Sequence, residues 1–108
     1  MNSVNISGRM IAPARVTYTQ RGDPRAACLI ATNARGQPEQ LISVVAWRDT
    51  ATDFRDFGEK NEPVIITGYL TSYKDASGLI RMDVTAVAVE FPNRREPEKI
   101  EKRSEKSN

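Results

Sequence analysis

A chain of 108 residues is sized for one domain with one modest core. It has no histidine and a single cysteine, Cys28, which excludes an internal disulfide, a cysteine-built zinc site and the commonest acid–base side chain. The net charge of +2 conceals an uneven spread: Arg9, Arg15, Arg21, Arg25 and Arg35 against Asp23 alone give +4 over residues 1–38, five bases against nine acids give −4 over 39–91, and six bases against four acids give +2 over 92–108.

Val4-Asn-Ile-Ser-Gly8 alternates apolar and polar residues as a half-buried strand does, and Gly8 marks a bulge or bend. Met10-Ile11 extends it until Ala12-Pro13 interrupts. Arg15-Val-Thr-Tyr18 is a short extended piece of β-formers, and Gln20-Arg-Gly-Asp-Pro24 is a turn by composition. The second strand is expected over residues 26–32, with Cys28 and Ile30 on one face and Ala27, Leu29 and Ala31 on the other. After a short loop, the third strand over 41–47 places Ile42, Val44 and Ala46 on one face and Leu41, Ser43, Val45 and Trp47 on the opposite one. A helix is expected over 50–57, capped by Asp49 or Thr50 and closed by Gly58 at C′, with Phe54 and Phe57 facing the core together. The fourth strand, 64–70, sends Val64, Ile66, Gly68 and Leu70 inward, while Ile65, Thr67, Tyr69, Thr71 and Tyr73 point outward. Lys74-Asp-Ala-Ser-Gly78 reads as a hairpin loop in which Gly78 supplies the positive φ, and the fifth strand runs from about 79 to 91. Residues 1–91 are thus the expected domain. Residues 92–108, of mixed charge with little to bury, are expected to form a disordered or weakly helical tail.

A single short helix between strands 3 and 4 of an otherwise all-β domain is the connectivity of a five-stranded OB-fold barrel. That fold commonly grips single-stranded nucleic acid. Catalysis is not expected. No phosphate-cradling glycine loop is present, and Ser7, Thr67 and Ser77 lack a base to activate them. Asp53, Asp56, Glu59 and Glu62 read as the solvated face of a short helix and its exit loop, not as a metal or acid–base cluster. No cofactor and no metal are therefore expected. Cys28, within an apolar run, reads as core filler, with a reactive thiol as the lesser alternative. The apolar runs are too short for a membrane span, the opening residues lack a signal-peptide pattern, and the lone cysteine suits a reducing compartment.

With these elements placed, residues 1–91 resemble the bacterial single-stranded DNA-binding protein family. Met1-Asn-Ser-Val-Asn-Ile-Ser-Gly-Arg9 is similar to the family's opening strand, and Pro13 to Gly22 resembles its D-P-E-V-R-Y-T-P-x-G segment, with Ala12 in place of the acid. Cys28-Leu-Ile-Ala-Thr-Asn33, Val44-Val-Ala-Trp47 and Val64 to Leu70 resemble its F-x-L-A-T-N, R-V-V-x-F/W and V-x-I-E-G-x-L pieces. Several stacking rings of the family pattern are missing: Leu41 stands where a Trp begins the third strand, and Asp75 lies near the position of the Trp in the loop between the last two strands. Nor does the basic-leaning stretch after residue 92 resemble the family's glycine-rich linker and acidic, Phe-ended tip. The resemblance implies a divergent, short member.

It also implies a function: sequence-independent binding of single-stranded DNA, with RNA as a second candidate strand, in replication, recombination and repair. Bases would stack on Trp47, Tyr69 and Tyr73, and phosphates would meet Arg9, Arg15, Arg21, Arg25, Arg35, Lys74 and Arg81. Fewer rings imply weaker binding than is usual in the family. Each ring also admits a packing or interface role. The outward apolar residues Leu29, Leu41, Val45 and Ile65 suggest a homodimer or homotetramer. Replication or recombination proteins are further candidate partners; a membrane is not. The expected location is the cytoplasm, at the nucleoid, or an organellar stroma or matrix. The alternative is a protein-interaction module or primosomal-type accessory protein with little or no DNA binding.

Overall fold

The period-two pattern of the sequence reappears as alternating burial along extended strands in the structure, a computed structural model that describes residues 1–94. Six strands and one helix follow in order: β1 (Val4–Met10), β2 (Arg15–Tyr18), β3 (Pro24–Asn33), β4 (Glu39–Trp47), α1 (Arg48–Phe57), β5 (Pro63–Lys74) and β6 (Ile80–Glu90). Neighbours run β1-β5-β6-β4-β3, and β3 also pairs with β1, so five strands close into a barrel with α1 between β4 and β5. This is the expected OB-fold. The short piece Arg15–Tyr18 is a sixth strand, paired with β3 alongside the barrel. The ladders are antiparallel except β4 with β6, where Val44 to Ala46 run parallel to Val84 to Ala86. The expected tail falls outside the described residues from residue 95 onward.

Two glycines allow this closure. β1 pairs with β5 from Val4 to Arg9, then with β3 at Arg9 and Met10. At that crossing Gly8 lies so close to the Ala31 carbonyl that any Cβ would overlap it. Gly68 sits at a register shift between Thr67 and Gly68, where a Cβ would overlap the Thr85 carbonyl oxygen. Only a residue without a side chain permits either approach.

The core is built from the inward sets of these strands together with the helix. Met10, Ile30, Val44, Val64, Ile66 and Phe54 are its largest fully buried side chains. Phe54 meets Phe91 edge-on, with ring centroids 5.8 Å apart, and Phe57 packs on the same ring at 6.1 Å. Both phenylalanines of the helix thus face inward, as their spacing predicts.

Three local expectations are corrected. The helix begins at Arg48, and its N-cap residue, Trp47, makes no side-chain capping hydrogen bond. Arg48 takes a left-handed φ of 55°, which turns the strand straight into the helix and places Asp49 and Thr50 inside it. Gly58 closes the helix through its N–H to the Phe54 carbonyl at 2.9 Å, but with φ −88° instead of a left-handed one. A Cβ there would lie 2.6 Å from the Phe54 oxygen and 3.1 Å from Met10 Cε, so crowding is the reason for glycine. Leu70 is 45% exposed rather than inward: its β6 partner Val84 is still buried in the barrel, but β1 pairs with β5 only as far as Gly68, so Leu70 lies past the end of that neighbouring strand.

Candidate nucleic-acid interface

Strand register assembles one outward face from distant parts of the chain. Thr17, Arg25 and Trp47 form a transverse row across β2, β3 and β4. The next row is Arg15, Ala27, Val45, Thr85 and Tyr69. Beyond it, Thr71 stands opposite Asp83, and Tyr73 opposite Arg81. Trp47, Tyr69, Tyr73, Arg25, Asp83, Thr71 and Thr85 line a single open groove of about 520 Å³. All three expected rings therefore line one groove. Trp47, Tyr69 and Tyr73 are 43%, 39% and 51% exposed, so each leaves part of its side chain open to solvent.

The groove has an apolar floor and a polar lining. Val45, expected on the exposed face, is only 7% exposed because its neighbours cover it. The Thr71 and Thr85 hydroxyls lie 3.0 Å apart, and Thr71 Oγ1 donates to the Asp83 carbonyl at 3.3 Å. The Arg25 guanidinium carbon lies 5.7 Å from the centre of the Trp47 ring, a cation–π arrangement.

The expected cations do not gather in this groove. Arg25 lines it, and Arg15 borders it at the β2 edge of the Val45 row. Arg81 faces Tyr73 but its Nε donates to Asp75 Oδ2 at 2.9 Å. Asp75 also accepts from the Ser77 hydroxyl and from the Ser77 and Leu79 amides. These bonds, the Ser77 hydroxyl foremost and Arg81 next, lower its carboxyl to about 2, so the clasp across the loop is charged at neutral pH. Arg9 lies elsewhere, in a separate groove with Ser7, Thr32 and Ile65. Its Nη2 donates to both Glu39 oxygens at 3.1 and 3.0 Å, and its Nη1 to Asn61 at 3.3 Å. The crossing of β1 between β5 and β3 carries Arg9 there, opposite Pro63 and Ala31. Arg21 and Arg35 are exposed beside the turns formed by Gly22 and Gly36, and Lys74 is exposed at the end of β5.

Thr85 and Asp83 line the groove without having been expected there, although period-two spacing from Arg81 puts both on its face. Tyr18, the third tyrosine, is exposed outside the groove, where its hydroxyl accepts from Arg55 Nη1 at 3.0 Å. Arg55 also pairs with Asp56 at 2.9 Å, consistent with a solvated helix face. Burial pushes the Cys28 thiol up to about 12, which keeps it protonated and suits its packing against the core. Among the described residues no group of three or more potential ligands is placed to hold a metal, and no helix is long and apolar enough to cross a membrane.

The single-strand binding protein family model matches residues 1–92. Among solved structures, the wild-type single-stranded DNA binding protein from Thermus aquaticus superimposes with TM-score 0.74 and 24% identity, covering 88% of this chain and 42% of that one. A deletion mutant of the same protein gives TM-score 0.74 and 23% identity over 90% of this chain and 43% of that one. The SSB domain of a Synechococcus sp. protein gives 0.69 and 20% over 83% and 94%. This chain thus spans less than half the length of the two Thermus aquaticus chains. No curated protein matches.

Proposed function

The chain belongs to the single-strand binding protein family, and on that premise we propose that it binds single-stranded DNA through the Trp47 groove. Bases stack on Trp47, Tyr69 and Tyr73, and Arg25 and Arg15 meet phosphates, with Arg21, Arg35 and Lys74 available along the flanks. The observation that carries this reading is the convergence of three half-open rings and Arg25 on one groove. Arg9 and Arg81, already paired with carboxylates, contribute less than the free arginines. The fold and the rings do not distinguish the sugar, so RNA is a second strand to test.

Affinity falls below that of a fully equipped family member, because each missing stacking ring forfeits about 1–3 kcal/mol. The protein acts in replication, recombination and repair, at the nucleoid or in an organellar matrix, where single strands are exposed. Fluorescence of Trp47, the only tryptophan, tests the reading directly. Oligo-dT is expected to quench it at low salt, and added salt to reverse the quenching as counterions return to the strand. An emission spectrum indifferent to oligo-dT rejects DNA binding and leaves the protein-interaction module.

The exposed apolar residues add self-association. Leu29, Leu41 and Ile65 are open to solvent, and so are Leu70, Ile80 and Met82 on the hairpin. Surfaces of this kind are seldom left uncovered in a monomer. Light scattering is expected to report two or four chains; the mass of one chain rejects the homo-oligomer. Replication or recombination proteins are the further partners we propose for the remaining surface.

A further inference from the structure

Asp83 is the single carboxylate among the residues lining the Trp47 groove, and a surface that meets phosphates gains nothing from it. It is half-buried on β6, directly opposite Thr71, between the Tyr69–Thr85 and Tyr73–Arg81 rows. Two residues along a strand span about 6.7 Å, so a base lying on either tyrosine brings its edge within reach of this side chain. Among the described residues no cation pairs with it. Its neighbour Arg81 is held by Asp75 at 2.9 Å, and Arg25 lies over Trp47. The Thr71 hydroxyl donates to the main-chain carbonyl of Asp83.

An ionised carboxylate only accepts hydrogen bonds. Its complement in a groove that stacks bases is a donor on a base edge, and in a single strand the Watson–Crick edges are open. Cytosine and adenine present an amino group there, and guanine presents an amino group beside a ring N–H. Thymine presents one N–H between two carbonyl oxygens, which repel a carboxylate. We infer that Asp83 ranks the bases, accepting a hydrogen bond from an amino group on the Watson–Crick edge so that cytosine, adenine and guanine are favoured over thymine at this position. This deepens the proposed DNA binding and rests on it.

The experiment compares the full chain with D83A and D83N, using labelled oligo-dC and oligo-dT of one length and fluorescence polarisation as the readout. The affinity ratio of dC to dT is expected to fall about tenfold or more in D83A, as one charge-assisted hydrogen bond is lost. In D83N it falls as well, because the amide also donates to thymine carbonyls. The two variants guard against a folding defect in either, which circular dichroism detects. If both variants bind dC and dT more tightly by the same factor, Asp83 merely repels phosphates and the inference is overturned. If the wild-type chain binds neither strand, the proposed function itself fails, a result distinct from an unchanged ratio.

Discussion

Trp47→Ala is expected to weaken binding of oligo-dT by roughly tenfold or more, within the range of about 1–3 kcal/mol for one stacking ring. Trp47 ends β4, stands in one row with Arg25 and Thr17, and is 43% exposed. Its removal takes away a stacking platform and also the surface over which the Arg25 guanidinium is held. The side chain plays no part in capping α1 and is absent from the buried core. Thermal stability should therefore stay close to wild type. That combination distinguishes a binding ring from a structural one. An unchanged dissociation constant would remove Trp47 from the site, and a loss of affinity accompanied by an equal loss of stability would assign it to packing.

For stability, the largest effect is expected from Phe54→Ala, at about 3–5 kcal/mol. Phe54 is 1% exposed, points from α1 into the barrel, and meets Phe91 edge-on. Alanine leaves a void that the closed barrel cannot collapse around, since strands on all sides hold one another in register. A domain of this size has total stability of roughly 5–15 kcal/mol, so the variant loses a large share of it. Urea unfolding provides the measurement, with a lower midpoint at a preserved slope as the expected outcome. A loss below about 1 kcal/mol would mean that the helix is an ornament of the barrel rather than part of its core.

How far the sequence discloses this molecule differs with the range of the interaction. Alternation along Ile42, Val44 and Ala46, or along Val64 and Ile66, is local, and these inward sets came out as read, as did the rings of Trp47, Tyr69 and Tyr73 on the opposite face. The start of the helix was misread because good capping residues, Asp49 and Thr50, lie just past a junction where Arg48 adopts an uncommon backbone angle. Leu70 departs from its period because alternation alone does not tell where the neighbouring strand β1 stops covering β5. The cations were the least legible. Nothing near Arg9 in the chain announces Glu39 and Asn61, which the barrel closure brings to it from thirty and fifty-two positions away. Asp83 shared that obscurity, since one acid in a mixed strand draws attention only when the rings around it are placed.

The parallel seam between β4 and β6 has a bearing on how the molecule is made. Val44 and Val84, partners across that seam, are about forty residues apart, whereas β3–β4 and β5–β6 are hairpins joined by short loops. Hairpins of that kind form early because little chain entropy is lost in closing them, and distant pairings wait. A chain leaving the ribosome therefore carries β4 with one naked backbone edge, flanked by apolar Val44 and Ala46, until the last strand has emerged. Assembly is concluded by β6, and the interval before its arrival is when the nascent chain is most open to pairing with a strand of another molecule.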